Sequence, residues 1–280
     1  MYKRILAAVN EYTNSEMAAR YAIVLSQSCG ARLFLAFVAE KSTDKEAFKH
    51  AEVALERLFI HAREHGVDVQ SVTETGDPFR KIQDLVRKEE IDLAFTGTRR
   101  ADQRMRFFQR SRARELVIVL RCSVAMVRVV RMARTHPKNI LVPLRRQMSS
   151  LEERSCFVAE LAKGFNAEVT LFHATRPITT FFRGETLLAP AEREKKIPPD
   201  VEQFAHCLKR HGVLHERRTS YGRVSRAITI EAAHRKNDLI VMGASERSLL
   251  SSMVSGNPVE EVLRETPCNL IIFRPRRRHQ

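Results

Sequence analysis

The chain has 280 residues, 44% of them hydrophobic, and a formal net charge of +15 at pH 7. That length suits one large domain or two of ordinary size, with enough apolar material for buried cores. No apolar run reaches the about 20 residues of a membrane helix, and the start, Met1-Tyr2-Lys3-Arg4, has no signal-peptide pattern, so a cytoplasmic protein with no membrane span is expected. Strand and helix signals then alternate along the first half. Residues 5–9 form an apolar run of strand length. Thr13-x-x-Glu16 predicts a capping box opening a helix, which runs to about 28 and stops at Gly30. A strand is expected at 33–38, a long amphipathic helix at 44–65 ending at Gly66, and a strand at 67–73. A helix with proline in its first turn follows at 78–90, then a strand at 93–96. A helix at 111–121 and a last strand at 124–130 close the unit.

The pattern then repeats. Lys3-Arg4-Ile5-Leu6 recurs as Lys138-Asn139-Ile140-Leu141, and Thr13-x-x-Glu16 as Ser149-x-x-Glu152. Ala31-Arg32-Leu33 recurs as Ala167-Glu168-Val169 at an offset of 136. Beyond a proline-marked insertion near 176–200 the offset becomes 146, carrying Gly76 to Gly222, Gly97 to Gly243 and Cys122 to Cys268. Thr135-His136-Pro137 marks the boundary, giving domains at 1–135 and 136–280. Strands of the second copy are expected near 139–144, 168–173, 213–219, 238–243 and 269–273. Continuous apolar strands between amphipathic helices imply an α/β fold: two tandem doubly wound parallel sheets, Rossmann-like, five strands each. Ligands of such sheets sit at the carboxyl ends of the strands, beyond the first and fourth.

The residues at those ends carry a resemblance. Leu239-Ile240-Val241-Met242-Gly243 is followed by Ala244-Ser245-Glu246-Arg247 and then by Gly256-Asn257-Pro258, opening a helix. This resembles the phosphate-cradling signature of the universal stress protein family, over essentially the whole chain and twice. The resemblance implies the adenine nucleotide alpha hydrolase-like fold and an adenine nucleotide such as ATP as ligand, with no metal beyond nucleotide-bound magnesium. It also implies a stress-response or signalling binder rather than an enzyme. In the second copy the residues so indicated are Pro143, Arg145, His173, Met242, Gly243, Arg247, Gly256 and Asn257. Both copies depart from the family pattern. Glu246 and Asn257 replace a glycine and a hydroxyl residue, and Arg145 stands where nucleotide binders carry an aspartate. In the first copy Asn10, Arg100 and Arg110 hold the corresponding positions, and only Gly97 and Ser111 survive. The second copy is therefore expected to retain the ligand site. The halves are expected to pack as an internal pseudo-dimer through strands 124–130 and 270–273, with a further homodimer left open.

Charge suggests a second reading. Residues 99–134 hold eleven arginines against Asp102 and Glu115, and the C-terminus adds Arg274, Arg276, Arg277 and Arg278. Arg99, Arg100, Arg104, Arg106 and Arg110 are candidates for an anion or partner surface. With Phe107 and Phe108 between them, they would suit a protein partner or single-stranded nucleic acid. A weak nucleotide hydrolase on the same fold is a third reading. The five cysteines form no C-x-x-C pair and are expected to be buried apolar residues, without a metal site. His61 and His65, one turn apart, and His206, His211 and His215 are expected on solvated faces.

Overall fold

Each apolar run between turn signals becomes a central strand, and each amphipathic stretch a helix laid across it. The computed structural model describes residues 2–40, 43–98, 112–175, 198–244 and 257–276. The first half comprises β1 (Arg4–Val9), α1 (Thr13–Cys29), β2 (Arg32–Ala39), α2 (Lys45–Glu64), β3 (Val69–Thr75), α3 (Pro78–Lys88), β4 (Leu93–Gly97), α4 (Arg112–Val119) and β5 (Ser123–Arg128). The second half repeats it with β6 (Asn139–Leu144), α5 (Leu151–Phe165), β7 (Glu168–Thr175), α6 (Pro199–Arg210), β8 (His215–Tyr221), α7 (Val224–His234), β9 (Leu239–Gly243), α8 (Pro258–Glu265) and β10 (Asn269–Arg274).

The strands form one sheet in the order β3-β2-β1-β4-β5-β10-β9-β6-β7-β8. Every pairing within a half is parallel. Among the described residues the only antiparallel pairing is the seam, where Arg128 faces Leu270 and Val124 faces Arg274. The expected junction through the last strand of each half is therefore present. Alternate strand residues feed two cores. One lies under α1, α2, α5 and α6, and the other under α3, α4, α7 and α8. Each half reverses strand order between its first and fourth strands, which opens a crevice at their carboxyl ends.

The seam uses polar groups as well as apolar ones. Arg274 is 1% exposed and donates to the carbonyls of Leu120 (2.7 Å), Cys122 (2.7 Å) and Pro275 (2.9 Å). This corrects its expected place in a surface anion cluster: the side chain is a structural cross-tie between the halves. Arg114 and Arg128 are buried as well, so part of the basic segment belongs to the fold rather than to a binding face. On the α1–α5 side, a Cβ on Gly164 would lie 2.7 Å from Val24 Cγ1, so the two helices meet too closely for any side chain there.

Three further expectations are corrected. Neither capping box forms. Tyr12 is the cap of α1 without a side-chain bond, and Glu16 pairs instead with Arg57 at 2.7 Å. Ser15 takes over, its Oγ accepting from the Asn10 amide and donating to Tyr12 O. In α5, Ser150 is the cap, also without a side-chain bond, and the Ser149 carbonyl accepts from Arg154 Nε. Finally, β3 and β8 begin two residues later than expected. Gly66 and Gly212 take left-handed φ values of 71° and 69°. That brings the amides of Val67 and Val213 back onto Ala62 O and Leu208 O, so these residues close the preceding helix rather than open a strand.

Candidate functional site

The two crevices are at equivalent places and differ in size and charge. In the second half a cavity of about 100 Å³ opens at the ends of β6 and β9, against Pro143, Arg145, Arg154, Phe172, Met242 and Gly243. In the first half the counterpart is about 410 Å³, and its rim includes Asn10, Glu11, Glu40, Asp44 and Gly97. The repeat offsets explain the difference. Phe172 lines the second cavity where Ala36 lines the first, and Arg154 occupies the position of Ala18. Two large side chains thus narrow the second cavity, one of them at the place where Ala36 lines the first.

Arg154 is the residue the sequence reading missed. Only 7% exposed, it donates through Nε to Ser149 O (2.9 Å) and through its Nη atoms to Phe273 O (3.2 Å) and Ala244 O (2.8 Å). Burial, with Arg145 nearby, lowers its pKa to about 10, so it stays charged at neutral pH. No carboxylate is among the described residues around this cavity. Two guanidiniums thus face it without an acid, which gives a positive field where apolar walls weaken screening.

Arg154 also explains Gly243. A Cβ there would lie 2.0 Å from Arg154 Nη1, the far end of a long side chain, so any other residue would push Arg154 off its carbonyl partners. At Gly97 the obstacle is backbone, with Asn14 O at 2.7 Å. Gly97 is thus held to glycine by the α1 backbone, whereas Gly243 leaves room for the Arg154 side chain from α5.

The expected site residues divide accordingly. Pro143, Arg145, Met242 and Gly243 converge on the cavity. His173 and Asn257 do not line it. The His173 Nδ1 donates to Leu144 O at 2.9 Å, which joins the ends of β6 and β7. Asn257 Oδ1 accepts from the Val259 amide at 3.0 Å and caps α8. Arg247 and Gly256, and the surface candidates Arg99, Arg100, Arg104, Arg106 and Arg110, lie outside the described residues.

The cysteine and histidine readings need correction at one place. The Cys156 and Cys207 sulfurs, 51 residues apart in sequence, are 3.8 Å apart. His211, expected on a solvated face, brings a ring nitrogen to within 4.8 Å of both. His61 and His65 instead pack edge to face, with ring centroids 4.2 Å apart. Among the described residues no helix is long and apolar enough to cross a membrane.

Comparison with known proteins supplies a frame. The sequence profile of the universal stress protein family matches residues 1–128 and again 137–274. A curated relative, the universal stress protein in the QAH/OAS sulfhydrylase 3′ region of Thermus aquaticus, is 27% identical over 127 residues, covering 44% of this chain and 89% of the relative. Two solved structures match nearly end to end and share the fold. A universal stress protein from Archaeoglobus fulgidus aligns with TM-score 0.64 at 15% identity, over 98% of this chain and 96% of its own. A universal stress protein from Pseudomonas aeruginosa UCBPP-PA14 aligns with TM-score 0.65 at 18% identity, over 98% and 94%.

Proposed function

The chain belongs to the universal stress protein family, and from that premise we propose that it is a non-catalytic regulatory binder of an adenine nucleotide, with the site in the second of two domains that meet between residues 135 and 136. The observation that carries the reading is the cavity at the β6–β9 switch, whose described lining has no acid, with Arg154 buried against it and Arg145 exposed. At about 100 Å³ the void is well below the roughly 300 Å³ of ordinary ligand pockets, so it suits one flat ring and not a whole nucleotide. A purine would sit among Pro143, Phe172 and Met242. Its phosphates would lie outside, against Arg145, Arg247 and the segment around Gly256. Magnesium would come with the phosphates, since no acid among the described residues lines this cavity.

The test is to denature the purified protein, identify released small molecules by mass spectrometry, and titrate the emptied protein with ATP, ADP and AMP. We expect an adenine nucleotide and a dissociation constant raised at least tenfold by Arg145→Glu. No release, and no binding at millimolar nucleotide, would remove the reading. Absence of ATP turnover with magnesium is the expected companion result, and turnover would favour the hydrolase alternative.

A second reading is favoured by volume. The first-half cavity, about 410 Å³, falls within the range of ligand pockets, and Glu11, Glu40 and Asp44 at its rim would repel a phosphate. It suits a neutral or cationic ligand of nucleoside size. Adenosine binding retained in Arg145→Glu would assign it there. The arginine segment 99–114, apart from the buried Arg114, stands as a separate proposed anion, nucleic-acid or protein-partner surface, whose signature would be steep loss of binding with salt.

A further inference from the structure

Helices α5 and α6 lie side by side and each carries a polar pair one turn apart: Cys156 with Glu160, and Cys207 with His211. The pairs face each other. The two sulfurs are 3.8 Å apart, and both sulfurs and a ring nitrogen of His211 lie within 4.8 Å of one another. His211 Nδ1 is 3.1 Å from Glu160 Oε1, and the other oxygen of Glu160 accepts from Ser28 Oγ at 2.6 Å. The carboxylate is thus held from α1 while it orients the imidazole. Cys207 is 4% exposed, and Cys156 and His211 are partly exposed, so an ion can enter from one side.

We propose that Cys156, Cys207 and His211 form a binding site for Zn²⁺ or another thiophilic cation, with Glu160 as the positioning residue for the histidine. The spacing fits. Two thiolates on a tetrahedral zinc at about 2.3 Å stand about 3.8 Å apart, the separation already present, and small side-chain rotations would bring the imidazole to about 2.0 Å. Two sulfurs and an imidazole make a soft donor set that selects zinc or copper(I) over magnesium or calcium. The carboxylate behind the histidine is the outer-shell partner that metal-bound imidazoles regularly have. Three protein ligands leave a fourth position for water or a small ligand. The ion would join α5 to α6 across the 176–198 insertion.

The experiment uses the full chain, reduced and stripped of metal, titrated with Co²⁺ under anaerobic conditions and then with Zn²⁺ and Cu⁺ as competitors. We expect one equivalent of Co²⁺, thiolate-to-metal charge-transfer absorption in the near ultraviolet, tetrahedral bands in the visible, and displacement by stoichiometric Zn²⁺. Bound zinc should shield two of the five thiols from alkylation. Cys207→Ser and Cys156→Ser should abolish the charge-transfer band while circular dichroism is unchanged. Glu160→Gln should keep the band but weaken affinity roughly 10- to 100-fold. Displacement of Co²⁺ by Cu⁺ but not by Zn²⁺ would keep the site and assign it to copper(I). An absence of thiolate charge transfer in the folded, reduced protein would overturn the proposal. So would uptake that survives both cysteine variants, or a Cys156–Cys207 disulfide in the isolated protein with no metal uptake after its reduction.

Discussion

The same crevice, built twice from the same elements, has a wide, acidic described lining in the first half and a narrow, basic one in the second. The difference rests on few positions. Ala36 against Phe172 and Ala18 against Arg154 set the volume, while Asn10 against Arg145, together with Glu11, Glu40 and Asp44 in the first half, sets the sign of the field. The scaffold tolerates both because strand order and helix placement are fixed by two extensive cores, of which the crevice walls are only a part. One duplicated frame therefore carries two crevices of different size and lining.

The sharpest way to break the contrast is Phe172→Ala, which gives the second crevice the first one's wall. Phe172 is 1% exposed, so truncation should cost about 4 kcal/mol in urea unfolding while admitting larger ligands. Next is Arg154→Met. It strips buried carbonyls of a charged donor and should cost about 3 kcal/mol, and the same protein should lose affinity for anions. The reverse exchange, Ala36→Phe, should cost about 2 kcal/mol by overpacking and close the first cavity to nucleosides in calorimetric titration. A smaller contrast concerns helix entry. Asp77 caps α3 by accepting from the Arg80 amide at 2.9 Å, whereas Arg223 at the same place in α7 makes no side-chain cap. Asp77→Ala should lower stability by about 1 kcal/mol, and Arg223→Ala should lack that capping loss.

The smallest effect is a pH dependence peculiar to the second half. The Ser225 hydroxyl and Arg223 guanidinium both bind Glu261 and hold its carboxyl below the ordinary glutamate value. A depressed carboxylate stabilises the fold above its unfolded pKa of about 4.3, and the contribution fades as pH falls through the lower folded value. Unfolding midpoints measured from pH 6 down to 3 should fall less steeply in Glu261→Gln.

Most of the fold was legible because it rests on local signals repeated at fixed offsets. Apolar strands and the glycine that ends the second helix of each half, Gly66 and Gly212, recur, so each half checks the other. The misplaced strand starts had a cause that residue type does not reveal: Val67 and Val213 are good strand formers, yet their amides are engaged by the preceding helix. The site was legible only as a location. Pro143, Arg145, Met242 and Gly243 could be found from motif spacing, but Arg154 lies in the first turn of α5 in an ordinary polar context, and only its approach to Gly243 reveals its role. The cluster of Cys156, Cys207 and His211 was invisible for a related reason. Its members come from two helices separated by the insertion, and no sequence spacing encodes their meeting.

The seam has a consequence for life in a crowded cell. Separate subunits joined by an edge-strand pairing can dissociate and reassemble with any homologue presenting a similar edge. Here Arg274 is sealed into the neighbouring half's backbone, and Asn269 accepts the amides of Val130 and Arg131 across the same line, all on one continuous polypeptide. The two crevices are thus carried on one polypeptide in a fixed ratio of one to one, and are inherited together as a matched pair.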